Sequence, residues 1–440
     1  MPPDSSRKRR RILIVASIGA ILLLGLGAIL ALRNTGLETE LTKLRSAGLP
    51  VTVEDLNTWY PPVAAEKNAA LGVVAAAELT VEEKSGALQL PKREETISRE
   101  SLQQMRDYVT ENSSALKALR PALQLPESRY TLSITANTLA NGLPNPSLSD
   151  IKGLMHLLQY ETVDLVAQGK ADAAFAPVRD SFALAATLRN EPFLISELLR
   201  ISFVATALRS LECVLPSGKF SDQQLQEISE WLARSEADCS RSLHRAIIGE
   251  RTMGLQFFAT IKRDFATSTS EWDRFRAVLY HGLGFHDRDL RLYLEMMQGF
   301  SIAMTNSFPA AYEQSVILDQ QFQRRFSKGL GRLATLSKAV MPAIAKAAGK
   351  EAALVTGLRC ARTAVAIERS RLANAGMLPN DLGELVPKYL PEMPRDAAKG
   401  EPLVFQKVPD GYQVSSPTAA KVLTNKWNTT FSVVPWKFGK

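Results

Sequence analysis

The sequence predicts a mainly α-helical protein: an N-terminal transmembrane helix, an irregular multi-helix extracytoplasmic domain, and a small C-terminal α+β module with a β-hairpin. Three observations predict this. Residues Ile12 to Leu32 form one unbroken apolar run directly behind Arg7, Lys8, Arg9, Arg10 and Arg11. From Ser149 to Leu372, apolar residues recur at three- and four-residue spacing between capping residues and turns. Beyond Leu378 the pattern shortens, and Asp410-Gly411 sits between two apolar runs.

A helix rises about 1.5 Å per residue and a hydrocarbon core is about 30 Å thick, so roughly 20 apolar residues span it. Ile12 to Leu32 has that length and no charge. A cleaved leader has a shorter apolar region of about 7–15 residues and a small-x-small exit. The exit here reads Ala31-Leu32-Arg33-Asn34, so an uncleaved signal anchor is expected. The basic cluster lies before the run, which places the N-terminus in the cytoplasm and the bulk of the chain outside the inner membrane. Gly27 and Ala31, like Ala16 and Ala20, have small-xxx-small spacing, a feature of helix pairing and of membrane spans generally.

The chain has 440 residues, 45% hydrophobic and 22% charged, as in folded proteins. Its 53 basic and 45 acidic side chains give +8. Half of that comes from residues 1–11, so the charge is largely a topology signal and no nucleic-acid partner is expected. Aromatics are 7%, with no basic run among them after residue 11. The expected organisation is a basic tail (1–11), the anchor (12–32), a membrane-proximal helical region (33–146), a helical domain (147–350), and a long helix with a small β module (351–440).

Thr52 caps a short helix ended by Pro61-Pro62. Ala64 to Leu79 is Ala-rich and helix-prone. Ser85 to Pro91 is a break. Ser98 caps a helix to about Leu119, closed by Pro121. Asn141 to Pro146 is a loop. Ser149 caps a helix buried on most sides, with Gln168-Gly169-Lys170 as its exit turn. Helices over 172–189 and 192–215 follow. Ser221 and Gln224 form a capping box for a long helix whose stripe runs Leu225, Ile228, Leu232, Cys239, Leu243, Ile247 and Phe257. Thr267 to Glu271 is a polar link, and Tyr280 to His286 a loop before a helix capped by Asp287 or Asp289. Helices over 320–336 and 351–372 complete the domain. The latter places Leu354, Leu358, Ala361, Val365 and Leu372 on one face. A short capped turn follows at Leu382, then strands over 403–408 and 412–415 and a third, edge-like segment over 431–438 with Pro435. A lone hairpin is marginal in water, so this module is expected to pack on the 351–372 helix.

Three cysteines, Cys213, Cys239 and Cys360, leave at least one thiol unpaired. If both segments flanking Pro216 to Lys219 are helices, Cys213 and Cys239 are offset by about 25 Å, far beyond disulfide reach. Buried free thiols are expected. The histidines are His156, His244, His281 and His286. His281 and His286, five apart, cannot chelate from one helix face, though a loop can converge them with Asp287. Ser114-x-x-Lys117 and Ser149-x-x-Lys152 match a bare Ser-x-x-Lys with no Lys-Thr-Gly following. Gly329-Leu330-Gly331 follows a helix, not the strand a dinucleotide fingerprint needs. Glu250, with His244 within two turns, is the most conspicuous acid, and an ion pair explains it most simply.

Ala366 to Pro379, followed by Leu382-x-x-Leu385-Val386-Pro387-x-Tyr389-Leu390 and Asp396, resembles the segment of type II secretion pseudopilins where a long helix enters a small sheet. It is more similar to the C-termini of a group of uncharacterised single-anchor bacterial membrane proteins. Those also carry segments like Tyr60-Pro61-Pro62-Val63, Glu66-Lys67-Asn68-Ala69-Ala70 and Glu191-Pro192-Phe193-Leu194-Ile195-Ser196. The chain departs from pseudopilins in lacking the Gly–Phe processing site and the Glu five residues into the anchor. It departs from the usual Asp-Pro-aromatic step in reading Asp396-Ala397-Ala398. The resemblance implies a fold and brings no activity. A protein-interaction or scaffold role is therefore expected, with no cofactor, metal or catalytic residue assigned. The alternatives are an envelope hydrolase using Glu250, His244 or His286, and an accessory component of a pseudopilus-like secretion system.

Overall fold

The computed structural model describes residues 36–81, 95–131, 148–267, 284–341, 343–423 and 429–439, with isolated residues elsewhere. Among the described residues, no helix is long and apolar enough to cross a membrane. Nearly all of the expected anchor at 12–32 and of the break at 85–91, the loop at 141–146, and His281 lie outside them.

The described chain is mainly helical, with one three-stranded antiparallel sheet near its C-terminus. The helices are α1 Leu37–Ser46, α2 Val53–Trp59, α3 Ala69–Glu78, α4 Arg99–Glu111, α5 Ser113–Ala122, α6 Leu148–Ala167 and α7 Phe175–Ala186. Then come α8 Leu194–Val214, α9 Asp222–Asp238, α10 Arg241–Thr267, α11 Phe285–Ala303, α12 Ala310–Ser327, α13 Thr335–Val340 and α14 Ile344–Ala373. Strands β1 Val404–Val408 and β2 Gly411–Ser415, helix α15 Pro417–Val422 and strand β3 Thr430–Val433 complete the chain.

The chain forms two compact units, each assembled from separated segments. The first takes in the described residues of Met1–Leu56, Arg251–Gln298 and Gln320–Pro342. In it, His286 is a core residue on the edge of the Phe258 ring, at 5.6 Å between centroids. Asp289 does not cap its own helix, as expected from the sequence. It lies inside α11, which starts at Phe285, and its carboxylate accepts the Leu336 and Ser337 backbone N–H groups at 2.9 and 3.2 Å. It thus caps α13, satisfying donors that a helix start leaves open. The expected 320–336 helix is instead the end of α12, a tight turn at Gly329–Leu333, and α13.

The second unit takes in Asn57–Glu250, Gly299–Asp319 and Ala343–Lys440. Its axis is α14, which begins seven residues before the expected Glu351 and has 21 buried residues among its 30. A helix buried along most of its length needs partners on several sides, and α8, α9, β2 and β3 all pack on it. Leu354, Leu358, Ala361 and Val365 are buried as the stripe requires, while Leu372 is exposed at the fraying end.

Local chemistry explains where helices stop. The expected single helix from Ser98 is two, because the buried Asn112 spends its side chain on other groups. Its Nδ2 donates to the Tyr108 carbonyl and its Oδ1 accepts the Val81 N–H. Pro121 therefore lies inside the last turn of α5 instead of closing the first helix. The capping box of Ser221 and Gln224 is formed. The expected long helix behind it breaks at Ser240, whose φ is +20°, into α9 and α10. Ser149 lies within α6, which starts at Leu148, and its hydroxyl donates to Asp150. Gly169 closes α6 at φ +73°, a value only glycine adopts freely.

The hairpin pairs Val404 with Ser415 and Val408 with Gly411, and β3 pairs Val414 with Phe431. Asp410, not Gly411, takes the left-handed position at φ +65°. The Pro409 ring holds its own φ at about −65°, so the two turn residues have φ of opposite sign. The sheet rests on α14 as expected. The buried Tyr412 hydroxyl donates to the Ala364 carbonyl and Glu368 at 3.0 and 2.8 Å.

Candidate functional site

The structure gives most residues singled out from sequence a structural partner. His286 Nε2 lies 3.2 Å from the Phe258 carbonyl oxygen and Nδ1 lies 3.1 Å from Asp287 Oδ1. His244 Nε2 pairs with Ser301 Oγ at 2.9 Å. Glu250 Oε1 accepts the Leu194 N–H at 2.9 Å, and burial pushes its carboxyl above the usual range. It caps the start of α8; the ion pair expected of it is not what this bond makes. His156 stands against Tyr160 at 6.2 Å. Ser114 with Lys117, and Ser149 with Lys152, are exposed on helix surfaces. Gly329-Leu330-Gly331 is a tight turn after a helix. Cys213, Cys239 and Cys360 are buried free thiols. Among the described residues, no group of three His, Cys, Asp or Glu could hold a metal ion.

The segments that carry the resemblance meet inside the second unit. The Tyr60 hydroxyl donates to Glu191 Oε1 through a short bond. The Arg129 guanidinium lies 4.5 Å over the Tyr60 ring and its Nε donates to the Tyr60 carbonyl. Asn68 caps α3 through the Ala70 N–H and exchanges two bonds with the Arg129 backbone. Burial raises the Glu191 carboxyl to about 7, although the Tyr60 bond and Arg129 pull it down. Pro192 packs so closely on α10 that a Cβ at Gly249 would sit 1.7 Å from its carbonyl oxygen. Tyr60, Asn68 and Glu191 thus lock three helices together, which is a structural use.

A different feature has the form of a binding site. A half-open cleft of about 380 Å³ lies in the second unit between α9, α14, the Ser307–Pro309 connection and the loop from Leu390 to Gly400. Its floor is charged. Glu236 accepts Arg359 Nε at 2.8 Å on one oxygen and Arg362 Nη1 at 3.1 Å on the other. Arg359 Nη1 also donates to the Arg395 carbonyl, and Arg395 Nη1 to the Gly400 carbonyl. Its walls are Phe308, Pro309, Leu390, Pro391, Met393 and Pro394.

Asp396 shapes the outer loop. Fully buried, it accepts the Ala398 and Lys399 N–H groups at 2.8 and 2.7 Å and the Glu401 N–H at 3.1 Å. The Ala397 N–H donates to Thr356 Oγ1 on α14. A proline at 397 would have no N–H to give to Thr356. Among the described residues the cleft is lined by Arg359, Arg362 and Arg395, by Glu236, Glu392 and Asp396, and by the hydroxyls of Ser307 and Thr363. Sequence inspection missed this cleft because its parts lie more than 160 positions apart. The one local hint was the Asp396 loop after Tyr389-Leu390.

No family model, curated protein or solved structure matches the chain.

Proposed function

We propose that this is a single-pass membrane protein, anchored through Ile12 to Leu32 with its N-terminus in the cytoplasm, whose external helical region binds a protein partner in the arginine-floored cleft. The anchor rests on the length of the apolar run and the basic cluster before it. The observation that carries the binding role is the cleft itself, with its apolar walls and guanidinium floor. Pockets that bind combine apolar lining with a few fixed polar groups in this way. Photo-crosslinking in native membranes tests it. A crosslinker at Met393 should give a discrete adduct with one protein, and the same group at exposed Gln226 on α9 should not. Equal labelling from both positions counts against the cleft.

A second proposal is an accessory part in a pseudopilus-like machine, supported by the layout of a long helix carrying a small antiparallel sheet. Co-purification of secretion components with the chain supports it. A monodisperse protein with no such companions opposes it.

A further inference from the structure

We infer that the exposed, stacked pair Trp272 and Phe275 docks into the interfacial layer of the lipid bilayer, beside the point where the chain leaves its anchor. The inference rests on Ile12 to Leu32 being that anchor.

Among the described residues, Trp272 and Phe275 are the only tryptophan and phenylalanine exposed to solvent, at 65% and 53%. Both positions are helical, and residues at i and i+3 are neighbours on one helix face. Their rings stack at 5.7 Å between centroids, 24° from parallel. Stacking joins the two rings into one apolar patch and still leaves most of both in water. Covering such a patch releases water from apolar surface and is favourable.

The tether decides what covers it. The anchor ends at Leu32, and the steps from there to Gly36 reach at most about 14 Å. A Cβ at Gly36 would lie 3.5 Å from Arg291 Nη1, so Gly36 sits against α11 within the first compact unit. Arg291 is about 9 Å along the helix from Phe285, where α11 starts. Tyr280 stacks on Phe285 at 6.3 Å, and its hydroxyl donates to Asp289 at 3.1 Å. Phe275 precedes Tyr280 by a stretch that spans at most about 18 Å. The aromatic pair therefore leads into the end of α11 that the tether keeps near the bilayer.

The chemistry suits a lipid interface. An indole sets its apolar body at the acyl boundary and its N–H among ester carbonyls and water, which is why tryptophan gathers at that depth. Residues 262–276 hold four basic and three acidic side chains. The rings and not the charge then lead the docking, and a zwitterionic lipid suffices. A second protein molecule has to find this patch, whereas the tether holds the bilayer beside it at all times.

The test uses the full-length protein in phosphatidylcholine nanodiscs whose acyl chains are either plain or brominated near the ester end. Bromine quenches an indole that it touches. Emission of the native protein minus that of Trp272→Phe isolates Trp272 from a total of five tryptophans. Brominated lipid should lower that difference by about half or more. The same difference measured in a Phe275→Asp background, with a charge beside the ring, should show that loss reduced about twofold. Thermal melting of the variants shows whether the fold is kept. Equal Trp272 emission in both lipids, at the wavelength of a solvated indole, overturns the docking and leaves the anchor standing. Equal emission shifted to the blue means a protein cover, a second copy or a partner, and overturns the lipid. A chain that does not co-elute with the discs overturns the anchor and the inference with it.

Discussion

Glu191→Gln is the perturbation with the most calculable outcome. Glu191 is 2% exposed, and burial raises its carboxyl from 4.5 to about 7. The folded protein therefore holds this proton more tightly than the unfolded chain does. Stability from this group is fully present below about pH 4.5 and is lost as pH rises through about 7. The gap between 4.5 and about 7, at about 1.36 kcal/mol per pH unit, amounts to about 3.4 kcal/mol. About 2.5 kcal/mol of it falls between about pH 5 and about pH 8. Glutamine keeps an oxygen to accept the Tyr60 hydroxyl and has nothing to titrate. Urea unfolding of both proteins, followed by tryptophan fluorescence, measures the stability of the variant relative to the native protein. That difference should move in favour of Gln by about 2–3 kcal/mol on going from acid to alkaline buffer. Other groups titrate alike in both proteins and cancel. A difference that stays flat with pH, or moves the other way, would refute the burial of an ionisable Glu191 against Tyr60.

Other outcomes follow from buried groups in the same unit. Arg200 holds Glu197 at 2.7 Å and Glu351 at 2.9 Å with all three buried, so Arg200→Ala leaves two dry carboxylates and should cost about 3–5 kcal/mol in urea unfolding. Replacing the three together by Leu, Met and Leu should recover most of that, and an Arg200→Ala protein as stable as the native one would count against the cluster. Gly249→Ala should cost about 1–3 kcal/mol, read as a lower melting temperature, because the new methyl meets the Pro192 carbonyl. Maleimide should leave Cys213, Cys239 and Cys360 unmodified by mass spectrometry until urea unfolds the chain. All three are buried, and burial pushes the Cys213 and Cys239 thiols well above their usual range. Labelling of any of them at native conditions contradicts the packing.

What could be read from sequence was local. The Ser221–Gln224 box, the turn at Gly169, the hairpin at Asp410 and the burial of the cysteines each depend on a few neighbouring residues. The failures at Asn112, Ser240 and Asp289 depend on partners elsewhere. Asn112 breaks a helix because Val81 needs an acceptor, and Asp289 caps a helix 46 positions ahead of it in the chain. The start of α14 was missed because Ile344 to Lys350 carries no cap, and its Ala- and Gly-rich face is explained only by close neighbours. The cleft was illegible for the same reason. Arg359 and Arg362 read as ordinary charged positions on a helix until Glu236 and the Leu390 to Gly400 loop are placed opposite them.

The position of α14 in the chain has a consequence in time. Arg200 and Glu351 are 151 residues apart, and α8 and α9 turn their apolar sides toward a helix made long after them. A ribosome adding about 5–20 residues per second leaves those sides uncovered for on the order of ten seconds. If the chain crosses the membrane as it grows, that interval is spent outside the cell's ATP-driven chaperones. The incomplete unit is then the species that envelope proteases and holding chaperones meet first, and a truncation before Ile344 should be degraded however well its individual helices form.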